Sequence, residues 1–282
     1  MPERLRKDGA SVKPVAQPAN HSHMHYMLRL LTIALLTIAA PVSAERWRAT
    51  YAITAAGITV MDAEVLFTLG SGGNAGASQA YSIETRVRSR GVAAMLFRGA
   101  GHTRAEGVWQ GATLRPTIYH STGNWNGTPR LTRLEYADGA LRVATLEPAE
   151  DMERTPVSVE ERRAAIDSLS AMVQLTDNVR RTARCDTQAR TFDGRRLVQF
   201  DVTTDPVLRV ADRGLLRCVV ESRALGGFPT DRPMEEVTRP VRSVVIFGVP
   251  QAGAPAIPVQ VEIASRWWGT IRASLNEISS AN

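Results

Sequence analysis

The chain has 282 residues, of which 34 are basic and 28 acidic, 44% are hydrophobic and two are cysteine. Residues 45–282 hold 29 of the basic and 26 of the acidic residues, so this part carries +3 rather than the +6 of the whole. That balance argues against nucleic acid as a partner, which calls for a concentrated basic patch.

Residues 1–23 are rich in Pro, Gly, Lys and Arg and read as a disordered extension or a mis-assigned start, with Met24 or Met27 as the alternative beginning. Residues 24–44 read as a signal peptide. Arg29 ends a weakly basic lead, Leu30 to Ala40 is apolar apart from Thr32 and Thr37, and Val42-Ser43-Ala44 supplies the small residues of a cleavage site. The apolar run falls short of the about 20 residues of a membrane span. An uncleaved anchor is the competing reading, and no cysteine follows the run to carry a lipid. The expected product is a periplasmic, single β-rich envelope domain over residues 45–282, long enough to bury its own core.

From there strand signals dominate. Trp47, Ala49, Tyr51 and Ile53 alternate with polar residues, Gly57 turns the chain, and Ile58 to Phe67 resumes as a strand. Gly70 to Gly76 is a flexible loop. Tyr81 to Val87 alternates wet and dry faces. Gly91 to Phe97 is a short apolar turn or helix, placed to lie over a cavity mouth. Strands follow over Thr103–Trp109, Thr117–Thr122, Leu131–Tyr136 and Leu141–Leu146, with a break at Leu114-Arg-Pro116 and a turn at Asp138-Gly139. Glu147 to Arg163 reads as a surface loop. One helix is predicted from Asp167, its N-cap, to about Arg181. After it come a hairpin, a Leu215–Arg223 strand, a Pro-rich 226–240 linker, and strands over Val244–Val249, Pro258–Ala264 and Trp268–Asn276. The expected fold is mainly β: an antiparallel curved sheet, half-barrel or barrel of about ten to twelve strands with one main helix packed on it.

The hairpin is the most informative stretch. Asp193-Gly194 is a strong turn signal, flanked by Phe192 and by Leu197, Val198, Phe200 and Val202. Arg195 and Arg196 leave the turn on opposite faces if the strand begins there. They read either as a solvated basic pair or as a fork for an anionic head group. Cys185 and Cys218 are an isolated pair in an exported chain, so a disulfide is expected, worth about 3 kcal/mol by the loop-entropy argument.

Catalytic constellations are scarce. His102 and His120 stand apart from any cysteine or second ligand pair. Ser168 and Ser170 sit at a helix start rather than in a nucleophile elbow. Asp167 can act as a general base, but capping explains it. Asp62 and Glu64 share one strand face, as paired carboxylates or as two solvated acids. No phosphate loop, dinucleotide fingerprint or zinc motif is present, so no cofactor is expected. Trp267 and Trp268 point to opposite faces of a strand, one as core and the other as core, ligand wall or membrane-surface contact.

Four motifs in order carry a family likeness: Tyr51-Ala-Ile-Thr-Ala-Ala-Gly57, Arg115-Pro116-Thr-Ile-Tyr119, Ala165-Ile-Asp167-Ser-Leu-Ser-Ala171 and Thr191-Phe-Asp-Gly-Arg-Arg196. On these the chain resembles the domain-of-unknown-function 3108 family of exported bacterial proteins. The resemblance implies an envelope protein with a curved antiparallel sheet, similar to the lipoprotein-carrier half-barrels, and supplies no catalytic residues. The expected role is binding or carrying a lipid-like ligand, with Arg195, Arg196, Trp267 and Trp268 as candidate contacts. The alternative is a non-catalytic envelope scaffold that meets a protein through a sheet edge or the 226–240 segment; a hydrolase ranks third.

Overall fold

A computed structural model describes residues 45–70, 78–96, 98–149, 153–210, 214–265 and 269–281. The expected extension and signal peptide, the glycine-rich loop after Gly70, and Trp267 and Trp268 lie outside them.

The described chain forms one open antiparallel sheet of thirteen strands. In chain order they are β1 (Trp47–Ala55), β2 (Ile58–Thr68), β3 (Gln79–Ser89), β4 (Gly99–Gln110), β5 (Thr113–Trp125), β6 (Thr128–Ala137), β7 (Ala140–Glu147), β8 (Thr187–Phe192), β9 (Leu197–Val210), β10 (Leu215–Gly226), β11 (Val241–Gly248), β12 (Ile257–Ser265) and β13 (Gly269–Ser280). Helix α3 (Ser168–Thr182) is accompanied by the single-turn helices α1 (Ala93–Leu96), α2 (Val159–Arg162) and α4 (Met234–Val237). The sheet is therefore wider than the ten to twelve strands expected, and three short helices join the main one. Strands β1–β7 form one meander and β8–β13 a second. They are joined in one sheet by the pairing of β1 with β13, while α3 lies between β7 and β8 in sequence.

Pro116 is not the break its residue type predicts. Strand β5 runs through it, because the register shifts between Glu106 and Gly107 where Pro116 stands opposite. A bulge lets the sheet accommodate a residue with no N–H to donate.

Alternation decides the faces. On the outer face Glu64 meets Arg86 at 3.3 Å and Arg48 at 3.9 Å, and Asp62 meets Arg90 at 3.0 Å and Arg88 at 3.9 Å. Such exposed pairs contribute about 0–1 kcal/mol each; they make the face wet and fix little else. The inner face is apolar. Trp47, Phe67, Tyr81, Ile83, Trp109, Tyr119 and Leu134 from the first meander pack with Val173 of α3 and with Phe192 and Leu197 of the hairpin. The space beneath the first half of α3 is thus filled by side chains. Leu175 and Val179, further along α3, pack with Val202, Val220, Val245 and Phe247 around Cys185 and Cys218.

Those cysteines are joined in a disulfide with a Cα–Cα distance of 5.6 Å and 33 residues of sequence separation. The other end of α3 is held by a polar cluster. Asp167 caps the helix, taking the Ser170 N–H at 2.8 Å on Oδ1 and the Ser170 hydroxyl at 2.6 Å on Oδ2. Tyr136 of β6 donates to the same Oδ2 at 3.0 Å, and Tyr81 of β3 shares a 2.7 Å bond with the Ser170 hydroxyl. Asp167 and Ser170 are wholly buried. Burial raises the Asp167 pKa against these hydrogen bonds, and burial also raises the Tyr136 phenol, followed by the Asp167 charge beside it.

Two expectations follow. The C185A/C218A variant should lose about 3 kcal/mol of unfolding free energy, read as a lower guanidinium midpoint. For Asp167, a raised folded pKa means that the folded chain holds this proton more tightly than the unfolded chain. The stability so contributed is full below about pH 4 and is lost as pH rises through the folded value. D167N, which keeps the cap and cannot ionise, should therefore gain on the wild type as pH rises from 4 to 8. D167A, which strands Tyr136 and Ser170, should lose at least about 2 kcal/mol at every pH.

Candidate functional site

The β8–β9 turn projects against the inner face of β6. Asp193 organises it: Oδ1 accepts the N–H groups of Arg195 at 3.0 Å and Arg196 at 2.8 Å, and Oδ2 accepts Arg196 Nε at 2.8 Å. Burial works to raise the Asp193 pKa, but the Arg196 charge and the two backbone N–H groups outweigh it and hold the carboxyl below its usual range. Gly194 has φ +99°, and a Cβ there would lie 2.6 Å from Thr132 Cγ2, so the turn presses directly on β6. From the other side Gly227, φ +72°, leaves only 1.9 Å between a built Cβ and Arg195 O. The turn is gripped between two walls by residues without side chains.

This grip corrects one expectation. Strand β9 begins at Leu197, so Arg195 and Arg196 belong to the turn and do not diverge. Both line the same cleft, of about 380 Å³, together with Arg130 of β6 and Arg154. Two carboxylates, Glu153 and Asp193, line it as well, against four guanidinium groups. A second cleft of about 350 Å³ shares Arg154 and Arg195 and adds Arg162, which stands 5.4 Å over the Phe192 ring. Arg154 donates to Gly227 O at 2.9 Å and Arg195 to Pro148 O at 2.7 Å, so backbone carbonyls position both.

The floor of the first cleft is polar and shallow. Thr103 and Ser121 share a 3.0 Å hydroxyl bond. Tyr119 lies beside them, its phenol pushed up to about 12 by burial and therefore neutral at ordinary pH. At the end nearest the β5–β6 turn lies Trp125. Its indole rests on glycine backbone: a Cβ at Gly99 would fall 2.0 Å from the ring and one at Gly123 3.0 Å. Half-buried, Trp125 gives the cleft one aromatic plate. A cleft with clustered guanidinium groups, hydroxyls and one indole face is suited to a phosphate, sulfate or carboxylate joined to something apolar.

The start of the Pro-rich 226–240 segment is tied to residues 153–155, beside Arg154, rather than forming a loose arm. Thr155 N–H donates to Phe228 O at 2.9 Å and Thr230 N–H to Glu153 O at 2.8 Å. Asp62 and Glu64 share the outer face, in a groove of about 760 Å³, each turned to arginine rather than to a common reacting centre. His102 Nε2 lies 2.9 Å from Glu84 Oε1, and His120 lies on β5, half-buried. Ser168 is exposed, while Ser170 bonds Asp167 without a histidine between them. Among the described residues no group of three His, Cys, Asp or Glu is placed to hold a metal ion. Trp125, Arg130, Arg154 and Arg162 carry no sequence motif. The one available signal was Gly99, Gly101 and Gly123 in strands that end beside a tryptophan.

The family profile described as "Protein of unknown function (DUF3108)" matches residues 48–276. The chain belongs to the DUF3108 family. The match reaches into every strand of the sheet and takes in the turn and the cleft. No curated protein matches the DUF3108 chain. Among solved structures it is similar to a β-barrel-like protein of domain of unknown function DUF1849 from Brucella abortus, at 11% identity and a TM-score of 0.46, covering 84% of this chain and 98% of that one. Among its described residues no helix is long and apolar enough to cross a membrane.

The grip on the turn is open to test. G227A places a methyl on the Arg195 carbonyl at a positive φ, and should cost about 1–3 kcal/mol in denaturant unfolding, whereas G57A, whose built Cβ meets nothing within 4 Å, should cost less.

Proposed function

We propose that the protein is an exported, non-catalytic binding protein for an anionic amphiphile, with the head group held in the arginine cleft. One observation carries this reading: Arg130, Arg154, Arg195 and Arg196, from three separate segments, line one cleft beside the half-buried Trp125. Four guanidinium groups stand there against the carboxylates of Glu153 and Asp193, the latter paired with Arg196 at 2.7 Å, and an anion in the cleft offsets the remaining positive charge. Hydrogen bonds from a guanidinium to a charged partner contribute about 1.5–3 kcal/mol each. The filled space beneath α3 keeps a tail out of the sheet interior, so the apolar part of the ligand lies along Trp125 toward the rim. The lipid-like ligand expected from the sequence is retained in this reading, and its place moves from a β cavity to the cleft.

Calorimetric titration with monododecyl phosphate below its micelle threshold tests the reading. The protein should bind it, should bind dodecyl maltoside at least ten-fold more weakly, and should lose at least ten-fold in affinity in R130Q/R196Q, with W125F losing less. Equal affinity for the neutral head group, or undiminished binding in R130Q/R196Q, would remove the basis for the proposal.

A further inference from the structure

The rim of the sheet beside the cleft carries a second feature. Exposed large apolar side chains gather where β2 begins and where the β3–β4 connection passes it. Ile58 is 54% exposed, Val92 60% and Met95 86%. Arg90 N–H donates to Val60 O at 2.9 Å, and Gly91 lies beside Thr59, with 3.7 Å from a built Cβ to Thr59 O. These contacts hold the connection against the start of β2. Within it Ala93 is buried at 4% and anchors the turn, while Val92 and Met95 on either side point outward. Carbonyls at Gly91 and Val92 accept the N–H groups of Ala94 and Met95 at 3.1 Å, so the tip is a closed turn rather than a loose end.

The charge around this tip has one sign in excess. Arg88 is 78% exposed, Arg90 61%, and Arg98 is exposed at the other end of the turn. Asp62 is the acid that pairs with Arg88 and Arg90. An isolated exposed hydrophobe needs no explanation; three of them at one turn and the strand start beside it, with flanking arginines, do.

We infer that this rim docks on an anionic lipid surface. Ile58, Val92 and Met95 together fall far short of the roughly 800 Å² per partner of a standard protein interface. They suit insertion among lipid head groups, where arginine stems lie along the apolar boundary and the guanidinium groups meet phosphate. Each basic residue near an anionic leaflet adds about 1 kcal/mol.

The rim and the cleft meet. Arg98 N–H donates to Asn126 Oδ1 at 3.0 Å, Asn126 N–H donates to Arg98 O at 2.8 Å, and Gly99, next in sequence, lies under the Trp125 indole. A chain docked by Val92 and Met95 therefore brings Trp125 and the arginine cleft to the head-group layer. Taking the membrane as the source of the cleft's ligand rests on the reading proposed above; the docking itself does not.

Flotation of the full chain with vesicles separates the two. Wild type should float with phosphatidylcholine vesicles containing 30% phosphatidylglycerol, about as salt-sensitively as other multivalent arginine contacts to phosphate, and should stay behind with pure phosphatidylcholine. V92D/M95D should reduce the bound fraction at least five-fold, and R90Q/R98Q should weaken binding and flatten its salt dependence. Both pairs are surface changes, and an unchanged melting temperature checks the fold. R130Q/R196Q should lose less of the bound fraction than V92D/M95D and should still need Val92 and Met95 to float, because it alters the cleft and leaves the apolar rim intact. Equal flotation with neutral vesicles, or V92D/M95D floating as well as wild type, overturns the docking whatever the dodecyl phosphate titration shows. A failed titration with intact, rim-dependent flotation overturns the cleft reading alone.

Discussion

Asp167 stands where the helix, the first meander and the interior meet. Its carboxyl is closed off from solvent, and every group that reaches it comes from an element the fold must place: Ser170 from α3, Tyr136 from β6, and Tyr81 from β3 through Ser170. A buried carboxyl without such partners costs several kcal/mol, so the cluster forms as a whole or destabilises the native state. It sets where α3 begins on the inner face. The opposite half of α3 packs on the cluster around the disulfide, in the second meander. One helix thereby spans both halves of the sheet, fastened by polar bonds at one end and by apolar packing at the other.

That placement of α3 determines where ligand chemistry has room. Core side chains and the Asp167 cluster occupy the concave face under the helix, leaving the stretch of β3–β6 toward the β5–β6 turn. There the residues shrink to Gly99, Gly101 and Gly123, and an indole and a hairpin turn move in. The arginines arrive from different directions because the β8–β9 turn and residues 153–157 both fold back over the first meander. Among the described residues the sheet stays open, with β7 and β8 at the two ends of the strand order.

Much of this was legible in the sequence, for physical reasons. Period-two alternation in Trp47–Ile53 and Tyr81–Val87 located strands because one face is dry and the other wet. Asp167 announced the helix start within one residue, since an N-cap is a local bond. The hairpin turn at Asp193-Gly194 was equally local. What failed to show were facts created by neighbours in space. Pro116 read as a break because the bulge that absorbs it depends on β4 opposite. Arg195 and Arg196 would lie on opposite faces if the strand began at the turn, but the Asp193 carboxyl gathers both N–H groups and the strand begins only at Leu197. Arg130 and Arg154 have no local signature at all, since their meaning lies in a cleft assembled from segments far apart in the chain.

The pairing of β1 with β13 also bears on how the molecule is made. Trp47 is matched with Ser280 and Ala55 with Ile271, so β1 finds its second neighbour only in β13, after every other strand of the sheet. Synthesis delivers the chain from its N-terminus. Throughout that passage β1 and β2 stand as an unfinished sheet whose open border carries unsatisfied peptide groups and the indole of Trp47. Pairings this remote in sequence form slowly, and an uncovered strand border is the surface on which chains stick to each other. Strand β13 thus serves as a latch, and a chain lacking it leaves the exposed border at the middle of the sheet rather than at its margin.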